Sequence, residues 1–230
     1  LNGYFVNWNN LDAVKLENPY WNSKGVKNLG FNGRIYVMGG DINLVTYNST
    51  NSIFFNQKLF DDLGIDYPYQ DVYDMKWTID KMIEITKQGY SDLNGDSVWD
   101  VRTDRLGYSG WGYENLYALY AGMGGQTVTQ DENSMPVFNL STERNVKIID
   151  KLIELYDEKN AYCNFDEYNI DKTAFREGRL LMDDSFITTL SWNRSSEFDI
   201  GILPYPMLDE EQGEYFSRAS NIAHLSYIPT

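Results

Sequence analysis

The chain has 230 residues, 34 acidic and 19 basic, which gives a formal charge of −15 and a pI near 4.4. That balance excludes nucleic acid and anionic membrane surfaces as partners, because both demand a basic face. A hydrophobic content of 42% excludes disorder, and no run of about 20 apolar residues is present to span a bilayer.

In chain order, residues 1–33 are rich in Asn, Gly and Trp and read as irregular, with one helical turn near Leu11–Leu16. Arg34–Met38 reads as a strand stopped by Gly39-Gly40. Residues 44–56 read as extended, interrupted at Asn48-Ser49-Thr50. Gln57–Leu63 reads as a short helix with Gly64 as C-cap, and residues 78–88 as an amphipathic helix capped by Thr78. After a polar loop over 91–104, Leu106–Ser109 reads as a strand and Glu114–Met123 as a helix. Residues 142–158 give the clearest helical period, with Val146, Ile149, Leu152, Ile153 and Tyr156 as the apolar side. A short helix over 171–177 ends at Gly178, and Leu180–Met182 and Phe198–Leu203 read as buried strands. Strands alternating with helices point to an α/β or α+β layout.

Few residues carry recognisable chemistry. Cys163 is the sole cysteine, so it forms no internal disulfide; it reads as a reduced, packed residue, and there is no Cys/His cluster for zinc. His224, the sole histidine, reads as structural. The loop Asp92-Leu93-Asn94-Gly95-Asp96-Ser97-Val98-Trp99-Asp100 sets oxygen side chains at relative positions 1, 3, 5 and 9. A hard cation such as calcium takes six to eight oxygens, and Asp92, Asn94, Asp96, the Val98 carbonyl, Asp100 and Asp104 are the candidate ligands. The expected ion is structural. The alternative is a loop of Asx turns with solvated acids.

Trp111-Gly112-Tyr113-Glu114 follows a strand and opens a helix, which is where α/β folds bind ligands. Two rings and a carboxylate there suit a sugar: the rings stack on pyranose faces and the carboxylate takes hydroxyls. The alternative is that both rings pack over the helix start. Asp183 and Asp184 are adjacent on a strand and so point to opposite faces; they cannot both act on one substrate. Glu114 with Asp184 is the pair a glycoside hydrolase would need.

Four stretches in sequence carry a family resemblance. Gly33–Met38 followed by Ser52–Ile65 is similar to an extended crossing into a second lobe and the helix after it, with pattern (Y/F)N-x-x-L(F)-x-x-x-G(I/L). Trp77–Met82 is similar to W-T-x-(D/E)-(K/E)-(L/M). Asp92–Asp104 before Leu106-Gly107-Tyr108 is similar to an Asp/Asn/Gly-rich loop preceding a (Y/F)G strand. Phe175–Met182 with Phe198–Pro206 is similar to F-x-x-G-(K/R)-x-(A/L)-(M/L) followed by (F/Y)D-(I/V)-G-(I/V)-x-P-x-P. In this order, over residues 30–215, they resemble the extracellular solute-binding proteins of carbohydrate ABC importers, the family that includes the maltose-binding protein.

The resemblance implies an α/β, periplasmic-binding-protein-like (type II) lobe with a mixed sheet and surrounding helices, truncated at both ends. Residues 1–50 would hold partial first-lobe and hinge segments, 51–203 the second lobe, and 204–230 a return crossing. It implies sugar contacts at Trp111, Tyr113 and Glu114, at Asp184, Ser185 and Phe186, and on a hinge strand at Asn48 and Asn51. It also implies a non-enzyme without catalytic cofactor, whose partners are a sugar, the permease subunits in the membrane and a missing N-terminal lobe. The protein would be lipid-anchored outside the cell or periplasmic. The chain starts at Leu1 and carries no leader or lipidation motif, so both ends are expected to be cut. The competing expectations are a glycoside hydrolase fragment and a calcium-dependent glycan-binding module.

Overall fold

Ile53, Phe54 and Phe55 are apolar in succession, which a strand accommodates only when both its faces are covered. In the computed structural model, which describes residues 3–22, 29–41, 43–157, 161–164, 170–218 and 224–230, strand β1 (Asn51–Asn56) is buried at every position. Ile53 and Phe55 enter the larger apolar cluster and Phe54 enters the smaller one on the opposite face. Full burial of each such ring is worth about 1.5–3 kcal/mol.

The chain divides into two units. The larger unit, residues 50–125 and 143–218, is built on a five-stranded sheet in the order β5-β2-β6-β1-β7. The strands are β1, β2 (Leu106–Trp111), β5 (Ala161–Asn164), β6 (Leu180–Phe186) and β7 (Ile200–Leu203). β2 runs parallel to β5 and to β6, while β1 is antiparallel to both β6 and β7, so the sheet is mixed. In this unit helices α2 (Gln57–Leu63), α3 (Tyr69–Tyr73), α4 (Ile79–Lys87), α5 (Gly112–Gly122), α6 (Glu143–Asp157) and α7 (Ile170–Arg176) accompany the sheet. The Asn56 side chain caps α2 by accepting from the Leu59 N–H at 3.1 Å, and Gly64 closes that helix at φ 67°, a left-handed conformation that favours glycine.

The smaller unit, residues 1–49, 126–142 and 219–230, contains α1 (Leu44–Asn48) and a hairpin of β3 (Val128–Gln130) with β4 (Pro136–Phe138). Its core is Trp8 and Met38, with Trp8 packed edge-on against Trp21 at 5.8 Å between ring centres.

Several sequence readings are corrected. The turn expected near Leu11–Leu16 is a single one, with the Val14 N–H donating to the Leu11 carbonyl at 2.9 Å, and a 3-10 turn precedes it at Trp8–Asn10, where the Asn7 side chain accepts from the Asn9 N–H. Arg34–Met38 forms no ladder, only isolated bridges at Arg34 and Met38. Residues 44–48 are helical rather than extended: the Asn43 side chain accepts from the Val45 N–H at 3.1 Å, and β propensity loses to that cap. On α6 Asn145, Ile148 and Leu155 are buried and Leu152 and Tyr156 pack beside them as expected, while Val146, Ile149 and Ile153 are exposed. Residues 204–218 fall within the larger unit, with Tyr205 and Leu208 in its main cluster. The side chain of Cys163 lies outside the described residues. Among the described residues no helix is long and apolar enough to cross a membrane.

Candidate functional site

The register brings three chain ends to one edge of the sheet. β1 is antiparallel to β6, so its first residue, Asn51, stands opposite Phe186, the last residue of β6. β2 is parallel to β6, so its last residue, Trp111, lies at the same edge. The chain then turns directly from Trp111 into α5 through Gly112 at φ 47°, a left-handed conformation that a Cβ would strain. The Asn115 Oδ1 accepts from the Trp111 N–H at 2.9 Å and fixes this junction.

A cavity of about 230 Å³ opens there, lined by Asn51, Trp111, Glu114, Asn115 and Lys172 on one side of the sequence and by Asp184, Ser185, Phe186, Thr189 and Trp192 on the other. Ser185 and Thr189 are joined at 2.7 Å, and the Thr189 hydroxyl donates to the Phe186 carbonyl at 2.7 Å, so Ser185 donates to Thr189. Trp192 is 48% exposed, Trp111 and Phe186 are half-buried, and all three rings belong to residues that line the cavity.

Behind the cavity lies a buried polar network. Asp184 accepts from the Tyr205 hydroxyl at 2.6 Å and from the Tyr108 hydroxyl at 3.0 Å. Burial pushes its carboxyl up to about 7, against the Tyr205 and Lys172 contributions. Burial and the Asp184 charge raise both tyrosines in turn. Asp183 points the other way, as alternation on a strand requires, and meets the Lys172 ammonium at 2.7 Å. Its carboxyl also rises to about 7 through burial, which outweighs Lys172. For Lys172 burial acts downward, yet Asp183 and Asp171 prevail and push it up to about 12.

Two atoms in the cavity wall stand out. Asn51 Oδ1 and Asn115 Nδ2 are buried with no hydrogen-bond partner, although their residues are only 1% and 4% exposed. The Asn115 amide is near enough to Asp184 to oppose the rise of its carboxyl, but makes no bond of ordinary length and angle.

Of the residues expected to contact a sugar, the cavity gathers Asn51, Trp111, Glu114, Asp184, Ser185 and Phe186. Tyr113 does not line it and is 71% exposed. Asn48 ends α1 in the smaller unit and is not on a strand. Sequence reasoning missed Asn115, Lys172, Thr189 and Trp192. Asn115 was within reach, since a polar residue four positions after a strand end can cap the turn; the other three come from elements whose approach to the edge only the fold determines.

In the 92–104 loop the oxygens serve largely as acceptors for the loop's own donors. Asp92 takes the Gly95 and Ser97 N–H groups at 2.7 and 2.8 Å, Asp96 takes Val98 N–H at 2.7 Å, and Asp100 takes Arg102 N–H at 2.9 Å. Asp104 Oδ2 accepts from Asp100 N–H at 3.0 Å, while its Oδ1 is buried without a partner. Among the described residues no three His, Cys, Asp or Glu side chains come together as a metal group.

No family model and no curated protein matches the chain. Solved structures do. An ABC substrate-binding protein, Lmo0181 from Listeria monocytogenes, in complex with cycloalternan, matches at 18% identity and TM-score 0.52 over 87% of this chain and 47% of its own. UspC of M. tuberculosis matches at 14% and 0.59 over 90% of this chain and 52% of its own. The maltose/maltodextrin-binding domain MalE from Bdellovibrio bacteriovorus, bound to maltotriose, matches at 20% and 0.53 over 81% and 43%. The chain thus spans about half the length of these structures, and it has the mixed α/β fold of solute-binding proteins of the periplasmic-binding-protein type.

Proposed function

We propose that the chain is the ligand-recognising lobe of an extracellular solute-binding protein that holds a sugar or oligosaccharide and hands it to a membrane permease. The observation that carries this reading is the cavity at the strand ends: three rings in its lining, with Asn51, Glu114 and Asn115 as polar groups among them. Rings stack on sugar faces, and planar amides and carboxylates meet hydroxyls. In the whole protein a second lobe closes over such a face and excludes water. Two of the fold neighbours, named as a substrate-binding protein and a maltose/maltodextrin-binding domain and solved with saccharides, support the same reading. No catalytic cofactor is required. A lipid-anchored or periplasmic location and the permease partnership follow from the same proposal.

Calorimetric titration of the full-length protein with glucose, maltose and maltotriose tests it. Binding of at least one, abolished by Trp111→Ala with the melting temperature retained, is the expected result; binding of none defeats the sugar reading. The hydrolase alternative has one supporting observation, that Glu114 and Asp184 line one cavity. Against it, both Asp184 oxygens already accept tyrosine hydroxyls, which leaves the carboxylate poorly presented as a nucleophile. Appearance of shorter sugars on prolonged incubation would favour hydrolysis.

A structural calcium in the 92–104 loop belongs to the same proposal, with Asp92, Asn94, Asp96, the Val98 carbonyl, Asp100 and Asp104 as ligands. Its support is the alternating oxygen pattern together with the unpartnered Asp104 Oδ1. Adding a chelator should lower the melting temperature, and an unchanged melt would refute calcium at this loop.

A further inference from the structure

The cavity wall contains a mismatch that folding alone does not explain. Leaving a buried donor or acceptor unpaired costs about 1–3 kcal/mol, and native structures hold few such groups. Here two belong to residues that line one small cavity, and they are of opposite kind: Asn51 Oδ1 only accepts and Asn115 Nδ2 only donates. A hydroxyl can do both. A ligand hydroxyl that reaches either atom can therefore satisfy it.

The charges of the same wall narrow the choice. Among the described residues Lys172 is the only basic one lining the cavity, and an ammonium has three donors. Its Nζ lies 2.7 Å from Asp183 Oδ1, 2.8 Å from the Asp184 carbonyl and 3.1 Å from Asp171 Oδ2. Its donors are therefore directed at the protein's own oxygens. Glu114 and Asp184 are the remaining charged groups of the wall, and both are acids. An anionic group entering this space would meet like charge where water screens poorly, and no free cation to offset it.

Resting on the sugar reading above, we infer that this cavity selects uncharged polyhydroxylated rings over phosphorylated or carboxylated sugars, with Asn51 Oδ1 and Asn115 Nδ2 as the paired acceptor and donor for ligand hydroxyls. Neither unpaired atom adds to stability: Asn51 Oδ1 and the Asn115 Nδ2 amide stay unsatisfied, whatever Asn115 Oδ1 does for the Trp111 turn.

Titration of the full-length protein with glucose, maltose, maltotriose, glucose 6-phosphate and glucuronate is the test, on wild type, Asn51→Leu and Asn115→Leu. The expected result is binding of a neutral sugar, with both anionic probes at least about a hundredfold weaker. Each variant should lose about tenfold or more in affinity, roughly one lost hydrogen bond. Because Asn115 also fixes the Trp111 turn, Asn115→Leu could fold poorly; Asn51→Leu and the wild-type ranking of neutral against anionic probes each decide the matter without it. Neutral sugar bound equally by wild type and Asn51→Leu, or glucose 6-phosphate bound as tightly as glucose, would overturn the inference and leave the sugar reading standing. No binding of any of the five probes to wild type would overturn the sugar reading itself, and the inference with it.

Discussion

Strand β1 begins and ends with asparagine, and the two are equally buried: Asn51 and Asn56 are each 1% exposed. At the Asn56 end the side chain caps α2, accepting from Leu59 N–H. At the Asn51 end the same chemical group leaves its oxygen without a partner and lines a cavity. One end of the sheet is finished by its own chain and the other is left open. Identical residues at identical burial thus differ in hydrogen-bond satisfaction alone, and on the proposed reading that difference separates a structural role from a binding one.

Mutations at the two ends should therefore differ in kind. The largest effect is expected behind the cavity. Lys172→Ala strands Asp183 as a buried carboxylate and should cost about 3–5 kcal/mol in urea unfolding. A loss under 1 kcal/mol would mean that the ammonium is not needed to hold the acids in place.

The second expectation concerns pH. Asp183 and Asp184 stand near 7 in the folded chain and near 4 unfolded, so the folded state binds more protons between those values. Stability from these groups is present in full below about pH 4 and is lost as pH rises through 7. Asp184→Asn cannot titrate there, so its stability relative to wild type should improve from pH 5 to pH 8. A relative decline would contradict the burial argument.

Asn56→Ala removes an N-cap and should cost about 1 kcal/mol without affecting sugar affinity. Asn51→Leu is the mirror case: near-neutral for stability, since no hydrogen bond to Oδ1 is lost, and costly for binding. If both variants lost stability alike, the contrast between the two ends would collapse.

Much of this was legible before the structure. Strong local signals, such as the Gly64 cap and the unbroken apolar run at residues 53–55, mark elements directly, whereas the Asn56 cap emerged only in the structure. Sequence order also brought Trp111, Glu114 and Asp184 into one expected site, and they line one cavity. What failed did so for identifiable reasons. α6 carries two apolar stripes at helical spacing, one through Val146, Ile149 and Ile153 and one through Ile148 and Leu155; the neighbouring elements, not the period, decide which is buried. Tyr113 follows the Gly112 turn, and a left-handed residue there redirects the chain, leaving the ring in solvent. Lys172 and Trp192 come from α7 and the turn after β6, and no local pattern announces that they converge.

The most direct test of the central claim is to follow the tryptophan indole N–H signals of the full-length protein by NMR while adding the sugar that binds best. Trp111 and Trp192 line the cavity, whereas Trp77 is wholly buried with its indole N–H donating to the Pro204 carbonyl at 3.0 Å. The account predicts large shifts at Trp111 and Trp192 and none at Trp77. Sugar binding that leaves Trp111 and Trp192 unmoved would contradict it.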